Sequence, residues 1–301
     1  MRRFYKSAIN PKATKGESTM NDHPGWKPHR RHVLSAGAAF MAAPAVMTRL
    51  ALAITPDEIK KRGKIVIGIQ GDNPPWGFVN SSGKQEGLDA DISELYGKYL
   101  GVPVEFVPLE VANRIPALTS GRVDVLFATM AMFPDRAKAV QFSKPYVANI
   151  ILLIAPKSME IKTNADMAKL SSIGVARAAA QDTQVTKYAP PGTKILRFDG
   201  DAVSIQALIS GQVQGLGGNM FYIDRLNEAR PGYWENKLEF QRIYNGACTR
   251  LGEKEINASI NSFIDTIKAN GELAKAHQKW MKLPLPDKFP DSVEGVPFVA
   301  G

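Results

Sequence analysis

The sequence predicts an α/β fold in two lobes, each built from a mostly parallel sheet with flanking helices. Short β-branched apolar runs alternate with amphipathic helical patterns, which is typical of parallel sheets with right-handed crossovers. The alternation occurs once before residue 155 and again up to about residue 242, and a last strand and two helices follow. We therefore predict a first lobe from 54–154 and 243–301, with a second lobe, 155–242, inserted through two crossovers.

The first lobe opens with a strand, a rigid loop and a helix. Lys64–Ile69 is a continuous run rich in β-branched residues, as a buried parallel strand should be. The loop that follows contains Asn73-Pro74-Pro75, which excludes helix, and Leu88–Leu100 has one apolar face and ends before Gly101. The remaining elements of this segment are predicted at Val104–Val107 (strand), Asn113–Ser120 (helix), Val123–Ala128 (strand) and Ile151–Ala155 (crossover strand).

The second segment repeats the pattern. Its predicted strands are Ser172–Ala176, Lys194–Phe198 and Val213–Leu216, and its helices start near Ala180 and span Asp201–Ser210 and Phe221–Glu228. The chain then returns to the first lobe. This last segment is predicted to contain a strand at Tyr244–Thr249, helices at Ile256–Ala269 and Glu272–Met281, and an extended Pro-rich tail, 283–301. In a two-lobed α/β protein of this kind, we expect the ligand to bind in the cleft where strand ends of both lobes face each other.

The net charge of +9 is unevenly distributed. Residues 1–53 hold nine of the 38 Lys/Arg but only two of the 29 acids, so the rest of the chain carries 29 bases against 27 acids. A nearly neutral fold lacks the basic surface that binds nucleic acid. We expect no nucleic-acid partner.

Residues 30–53 resemble a bacterial export signal. Arg30 and Arg31 precede the apolar run Ala36–Met47 and an A-x-A end at Ala53. The arginine pair favours the twin-arginine route, with an ordinary secretory signal as the alternative. The run is short for a membrane anchor and no Cys lies near its end, so we expect cleavage near Ala53 and a periplasmic protein without an anchor.

Cysteine and histidine are scarce. Cys248 is the single cysteine, and His277 is the single histidine beyond the export signal. An intramolecular disulfide and a metal site built on several His or Cys are therefore excluded. We expect no cofactor and no metal.

Four motifs together carry a family resemblance. They are GLDADISELYGKYLG from Gly87, RIPALTSGRVDV from Arg114, PDRAKAVQFSKPY from Pro134 and GELAKAHQKWM from Gly271. Over about residues 63–282 the chain resembles the periplasmic polar amino acid-binding proteins of ABC importers, bacterial extracellular solute-binding protein family 3, with the type II periplasmic binding fold. The resemblance implies a monomer that captures a polar amino acid, with an acidic one as a candidate, between its lobes and delivers it to an ABC permease.

The resemblance assigns two arginines to the ligand. Arg136 matches the arginine that binds the α-carboxylate, and a planar guanidinium can give a carboxylate two charge-assisted hydrogen bonds. Arg114 falls where relatives that bind glutamate or aspartate have an arginine for the side-chain carboxylate.

The resemblance also implies neutral contacts from both lobes. The first lobe contributes Gln70, Asn73 and Trp76 from the loop, Val111 beside the ligand side chain, and Thr129 and Ala131 after the third strand. The second lobe contributes Ala180 and Gln181, where a helix N-terminus offers backbone N–H groups to a carboxylate.

Asn219 is the main departure from the family pattern. It stands where relatives have the Asp that accepts the ligand ammonium, and an uncharged amide leaves that ammonium without its counter-ion. Asp72 could supply the charge from the loop. Otherwise the two arginines favour an organic acid without an amine.

Two further functions remain open on the same fold. A soluble sensor that partners a receptor would have the same binding site. A cyclohexadienyl dehydratase-like enzyme would need a positioned acid or base in the cleft, and the sequence offers no residue set of that kind. We therefore predict a binding protein and not an enzyme.

Overall fold

The computed structural model describes residues 53–290 and 292–298. All of them belong to one of the two compact units of the chain. The predicted export signal lies outside the described residues, except for Ala53.

A central sheet of eight strands joins the two lobes, in the order β5-β1-β6-β11-β7-β10-β8-β9. β1 lies parallel between β5 and β6, and β8 lies parallel between β10 and β9. Three short strands, β2 to β4, form a second sheet on the first lobe. The strands are β1 Ile65–Gln70, β2 Asp72–Asn73, β3 Gly77–Val79, β4 Gln85–Glu86, β5 Val104–Leu109, β6 Val125–Leu126, β7 Val140–Pro156, β8 Ile173–Ala176, β9 Ile195–Phe198, β10 Gly215–Asn219 and β11 Trp234–Arg250.

The two crossovers are long strands. β7 and β11 each contain 17 residues and pair antiparallel over their whole length. The predicted strands Ile151–Ala155 and Tyr244–Thr249 are therefore too short, because apolar runs mark only the parts of these strands that are buried on both faces. Conversely, the predicted strand Val123–Ala128 is reduced to the two residues of β6.

Nine helices and two 3₁₀ turns cover the described sheet. The predicted helices at Leu88–Leu100 and Glu272–Met281 agree with the structure, and the helix predicted at Asn113–Ser120 is split into a 3₁₀ turn, Val111–Asn113, and α3. The helices are α1 Pro56–Arg62, α2 Leu88–Leu100, α3 Arg114–Thr119, α4 Pro134–Ala137, α5 Ala180–Tyr188, α6 Asp201–Ile209, α7 Tyr222–Ala229, α8 Lys254–Ala269 and α9 Glu272–Met281; the second 3₁₀ turn is Asn164–Lys169.

Each lobe has its own hydrophobic core. In the first lobe Ile67, Tyr96 and Phe263 belong to a cluster that joins β1, α2 and α8. In the second lobe Leu208 and Leu216 belong to a cluster that joins α6 and β10. Separate cores linked by two strands give the two-lobed α/β fold, whereas the lobe boundaries at 154 and 242 stay a prediction. Within the part of the chain that the structure describes, no helix combines the length and apolar content of a membrane span.

Candidate functional site

A small cavity lies between the lobes, where β1 and β10 end. It holds about 20 Å³ of free space, room for about one water molecule. Its walls are Gln70, Asn73, Val111, Arg114 and Thr129 from the first lobe, Ala179, Ala180, Gln181, Asp201 and Asn219 from the second, and Asn149, Ile151 and Ile243 from the two long strands.

Most of the predicted ligand residues line this cavity. They are Gln70, Asn73, Val111, Arg114, Thr129, Ala180, Gln181 and Asn219. Arg136, Trp76 and Ala131 are not among the lining residues, and Asp201, Asn149, Ala179, Ile151 and Ile243 line the cavity although the sequence did not single them out as ligand residues. Whether any of them contacts a ligand stays a prediction.

Arg114 is the cation of the cavity wall and is only 4% exposed. Its Nε donates to the carbonyl of Val111 at 3.0 Å, and its Nη1 donates to the carbonyls of Ala128 at 2.6 Å and Thr129 at 3.3 Å. Burial lowers the pKa of Arg114, and the nearby carboxylates of Asp201 and Asp89 oppose that shift. Since its three hydrogen bonds use Nε and Nη1, Nη2 donates to no described residue.

The backbone that carries Arg114's acceptors is held by Asp89. Thr129 has a positive φ of 53°, an uncommon conformation for a non-glycine residue. Its N–H and hydroxyl both donate to Asp89 Oδ2, at 2.8 and 3.1 Å, and the Tyr146 hydroxyl donates to Asp89 Oδ1 at 2.7 Å. Burial raises the pKa of Asp89 to about 6. This fixed turn holds Arg114 in place.

Arg136 bridges the lobes beside the cavity. Its guanidinium donates to the carbonyl of Ala131 in the first lobe at 3.2 Å and to that of Ala178 in the second at 2.9 Å. Burial and nearby Arg114 lower the pKa of Arg136 to about 9, so it stays charged at neutral pH. Among the described residues Arg136 forms no ion pair, which leaves its charge available to an anion.

The other two predicted residues outside the lining are apolar neighbours of the cavity. Ala131 packs against the lining residues Ile151, Ala180 and Ile243. Trp76 is fully buried in the core of the first lobe and meets Phe221 of the second lobe edge-on at 5.6 Å. Whether Trp76 contacts a ligand stays a prediction.

Asp201 brings a buried negative charge to the cavity, at the first residue of α6. Oδ1 accepts hydrogen bonds from Gln181 Nε2 at 3.0 Å and from the Tyr222 hydroxyl, and Oδ2 accepts one from Gln70 Nε2 of the first lobe at 2.8 Å. Burial raises the pKa of Asp201, and neighbouring Asp72 adds to the shift. A carboxylate has about four lone-pair sites, so Oδ2 can accept a further donor.

Amide side chains complete the polar walls. Asn219 Nδ2 donates across the cleft to Asn73 Oδ1 at 3.4 Å, and Asn73 Nδ2 donates to Gln70 Oε1 at 3.3 Å. Asn219 Oδ1 accepts from the N–H of Phe221 at 2.9 Å. These contacts show that Asn219 acts as both donor and acceptor, which an Asp could not do.

Asp72 does not take the place that the sequence suggested for it. Its carboxylate accepts a hydrogen bond from the backbone N–H of Ala202 at 3.0 Å, and the residue is not part of the cavity wall. The acid near the expected ammonium site is Asp201. Nowhere in 53–290 or 292–298 do three acidic, His or Cys residues form a group that could hold a metal ion.

Comparison with known proteins gives the family. The model of the bacterial extracellular solute-binding proteins, family 3, matches residues 65–283, which include both walls of the cavity. The chain belongs to this family.

Family-3 relatives of several specificities match most of the chain. The ABC transporter glutamine-binding protein of Bacillus subtilis is 28% identical over 74% of this chain and 83% of its own length. The glutamate/aspartate import solute-binding protein of Escherichia coli is 26% identical over 85% of this chain and 87% of its own. A solved structure of an ancestral arginine-binding protein bound to glutamine superimposes with a TM-score of 0.69, at 30% identity over 74% of this chain and 99% of its own. These family-3 proteins bind different amino acids, so membership alone does not identify the ligand.

Asp201 could have been found in the sequence. An acid that starts a helix directly after a parallel strand lies at the carboxyl edge of the sheet, where clefts form. The preference of Asp for the first turn of helices explains the residue equally well, and only the structure distinguishes the two explanations.

Proposed function

We propose that this protein is the periplasmic binding component of an ABC importer and captures a polar α-amino acid between its lobes. The observation that carries the proposal is the pairing of a buried cation, Arg114, with a buried anion, Asp201, on opposite walls of one cavity. Family membership supports the transport role, since relatives are named as an ABC transporter glutamine-binding protein and as a glutamate/aspartate import solute-binding protein.

The two charges favour a zwitterion. Arg136, which the family pattern assigns to the α-carboxylate, has no acidic partner among the described residues and lies beside the N-terminus of α5. Asp201 supplies the counter-ion that Asn219 cannot, so an α-ammonium fits near the second wall. A dianion without an amine would bring its charge against a buried carboxylate, which costs several kcal/mol of binding free energy.

The rest of the cavity wall is suited to a polar side chain. Gln70, Asn73, Asn149, Gln181 and Asn219 offer amide donors and acceptors, and Arg114 has an unused Nη2. A side-chain amide or carboxylate can bind these groups, whereas a large apolar side chain would leave buried amides unsatisfied. We therefore place glutamine, asparagine, glutamate and aspartate first.

Ligand entry requires the lobes to separate, because the cavity has room for about one water molecule. Three hydrogen bonds between the lobes hold the cavity closed. They run from Gln70 to Asp201, from Asn219 to Asn73 and from Arg136 to Ala178. Opening about the two long strands would expose both walls, and closure around the ligand would follow.

An enzymatic function is the second candidate. A buried acid with a raised pKa is suited to general acid catalysis, and a related solved structure is an ancestral amino acid-binding protein described as a precursor of cyclohexadienyl dehydratase, 28% identical with a TM-score of 0.69. Release of phenylpyruvate from prephenate by the full chain, abolished in Asp201→Asn, would establish this alternative.

A thermal-shift screen of the full chain, refolded to remove any bound solute, tests the proposal. The panel contains the twenty amino acids and amine-free analogues such as glutarate and succinate. A ligand at a hundred times its Kd adds about 2.7 kcal/mol of stability, and we expect this for a polar amino acid but not for its amine-free analogue. Stabilisation by amine-free acids alone would contradict the zwitterion.

Arg114→Leu then identifies the side-chain class. If Arg114 binds a side-chain carboxylate, the variant loses glutamate or aspartate while retaining glutamine. Equal loss of all three would make Arg114 a structural residue of the first wall.

A further inference from the structure

One helix of the second lobe receives its N-terminal cap from the first lobe. α6 starts after Gly200, which has no side chain to cap the helix. Instead Asp72 Oδ2 accepts a hydrogen bond from the N–H of Ala202, in the first turn of α6, at 3.0 Å. Unbonded N–H groups and the helix dipole favour a carboxylate at this position.

Gly200 allows the lobes to approach this closely. A Cβ at this residue would lie 2.6 Å from Asp72 Oδ2 and 2.7 Å from Glu110 Oε2, both in the first lobe. Its φ of −146° is accessible to any residue, so its backbone conformation does not require glycine. A side chain at residue 200 would push aside the carboxylate ends of Asp72 and Glu110, so the glycine suits the close contact between the lobes.

A second bond fixes the same loop to the second lobe. Arg225 Nη1, on α7, donates to the backbone carbonyl of Asp72 at 3.2 Å. The side chain and the carbonyl of Asp72 thus contact two different helices of the opposite lobe. Neither contact belongs to the cavity wall.

We propose that Asp72 is a latch that stabilises closure by capping α6 from the opposite lobe. When the lobes separate, the Asp72 carboxylate and the N-terminus of α6 both return to water, so the cap exists only in the closed conformation. The latch rests on the lobe movement of the proposed function but not on the identity of the ligand. It shifts the population towards closure and therefore raises the affinity for a ligand that is bound between the closed lobes.

Distance measurement between the lobes tests the latch without a ligand. Spin labels at Ser81→Cys and Lys187→Cys, one exposed position in each lobe, report the distribution of interlobe distances in the refolded full chain. Removal of a helix cap in Asp72→Ala should lower the ratio of closed to open molecules by about fivefold. Gly200→Ala, whose methyl group would displace the Asp72 carboxylate from the N-terminus of α6, should also lower this ratio, and the exposed control Asp57→Ala should leave it unchanged.

Asp72→Asn keeps an oxygen acceptor and loses the charge. Its ratio of closed to open molecules should therefore lie between those of the parent and of Asp72→Ala. If circular dichroism shows that Asp72→Ala does not fold, Asp72→Asn replaces it as the test of the latch. Distance distributions of folded Asp72→Ala or Asp72→Asn that match the parent would overturn the latch. If the variants open the lobes but no solute stabilises the protein, the latch stands and the proposed function fails.

Discussion

The two walls of the cavity hold opposite charges in different ways. On the first wall Arg114 donates only to carbonyls of its own lobe, those of Val111, Ala128 and Thr129. On the second wall Asp201 accepts from Gln181 and Tyr222 of its own lobe and also from Gln70 of the other. Arg114 therefore keeps its partners in either conformation, whereas Asp201 reaches its full set of partners only on closure.

The walls also share a feature, a non-glycine residue with positive φ. Thr129 on the first side has a φ of 53° and Ala178 beside the second has 59°. Asp89 holds the former through its N–H and hydroxyl, and Asp182 accepts from the N–H of the latter at 3.1 Å. A carboxylate of the same lobe thus holds each of these turns in an uncommon backbone conformation.

The strongest test of the comparison is Arg136→Ala, because Arg136 donates hydrogen bonds to both lobes beside the cavity. We expect loss of binding of about 3 kcal/mol or more, since the ligand carboxylate loses its charged donor. Calorimetry with the ligand identified in the thermal-shift screen measures this loss of binding free energy, and exposed Arg122→Ala is the control. Unchanged affinity would place the carboxylate elsewhere, with Arg114 as the remaining cation of the cavity.

The rigidity of the first wall can be tested through pH. The pKa of Asp89 rises from 3.8 to about 6 on folding, so the folded state binds this proton more tightly than the unfolded state. The stability gained from protonated Asp89 is complete below about pH 4. It is lost as the pH rises through about 6, which lowers the free energy of unfolding by roughly 3 kcal/mol. Urea unfolding at several pH values should show this loss in the parent and in exposed Asp57→Asn, but not in Asp89→Asn. The same pH dependence in Asp89→Asn would assign the titration to another group.

The charge of the second wall is tested by Asp201→Asn. We expect binding of an α-amino ligand to weaken by about 2 kcal/mol, the value of a hydrogen bond to a charged group. Amine-free analogues should bind as well or better, and Asp199→Asn, a neighbouring exposed acid, should change neither. Equal weakening of both ligand classes in calorimetry would show that Asp201 only supports the fold.

The smallest expected effect is that of Asn219→Asp. The variant loses the donor to Asn73 and adds a charge where Asp201 already supplies one, so we expect less than about 1 kcal/mol of change in binding an α-amino acid. Asn219→Ser, which also lacks the amide donor, is the matched control. A tenfold gain in affinity with Asp but not with Ser would make residue 219 the ammonium site and remove Asp201 from that role.

Much of the fold could be predicted because local patterns and the global structure agree. The apolar face of α2 and the glycine after it mark that helix, and β1 and β8 are buried runs with parallel neighbours. The long strands β7 and β11 were underestimated because their polar halves are stabilised by pairing with each other. Pairing partners far apart in sequence leave no local signal.

Part of the site followed from the family motifs, and part did not. The motifs led to Arg114, Thr129, Gln181 and Asn219, all of which line the cavity. They did not lead to Asp201, and the sequence suggested Asp72 as a counter-ion, whereas its carboxylate accepts a hydrogen bond from Ala202 outside the cavity wall. In both cases the deciding contact joins residues about 130 positions apart.

The sequence by itself determined the alternation of strands and helices and the family, because both depend on local spacing and motifs. The tertiary structure alone decided which acid lies in the cavity and which caps a helix. Asp72 and Asp201 are both acids at element ends near the cleft. Asp201 accepts a hydrogen bond from Gln70 of the opposite lobe, whereas Asp72 meets α6 of the opposite lobe beside Gly200. Both contacts form only when the two lobes meet.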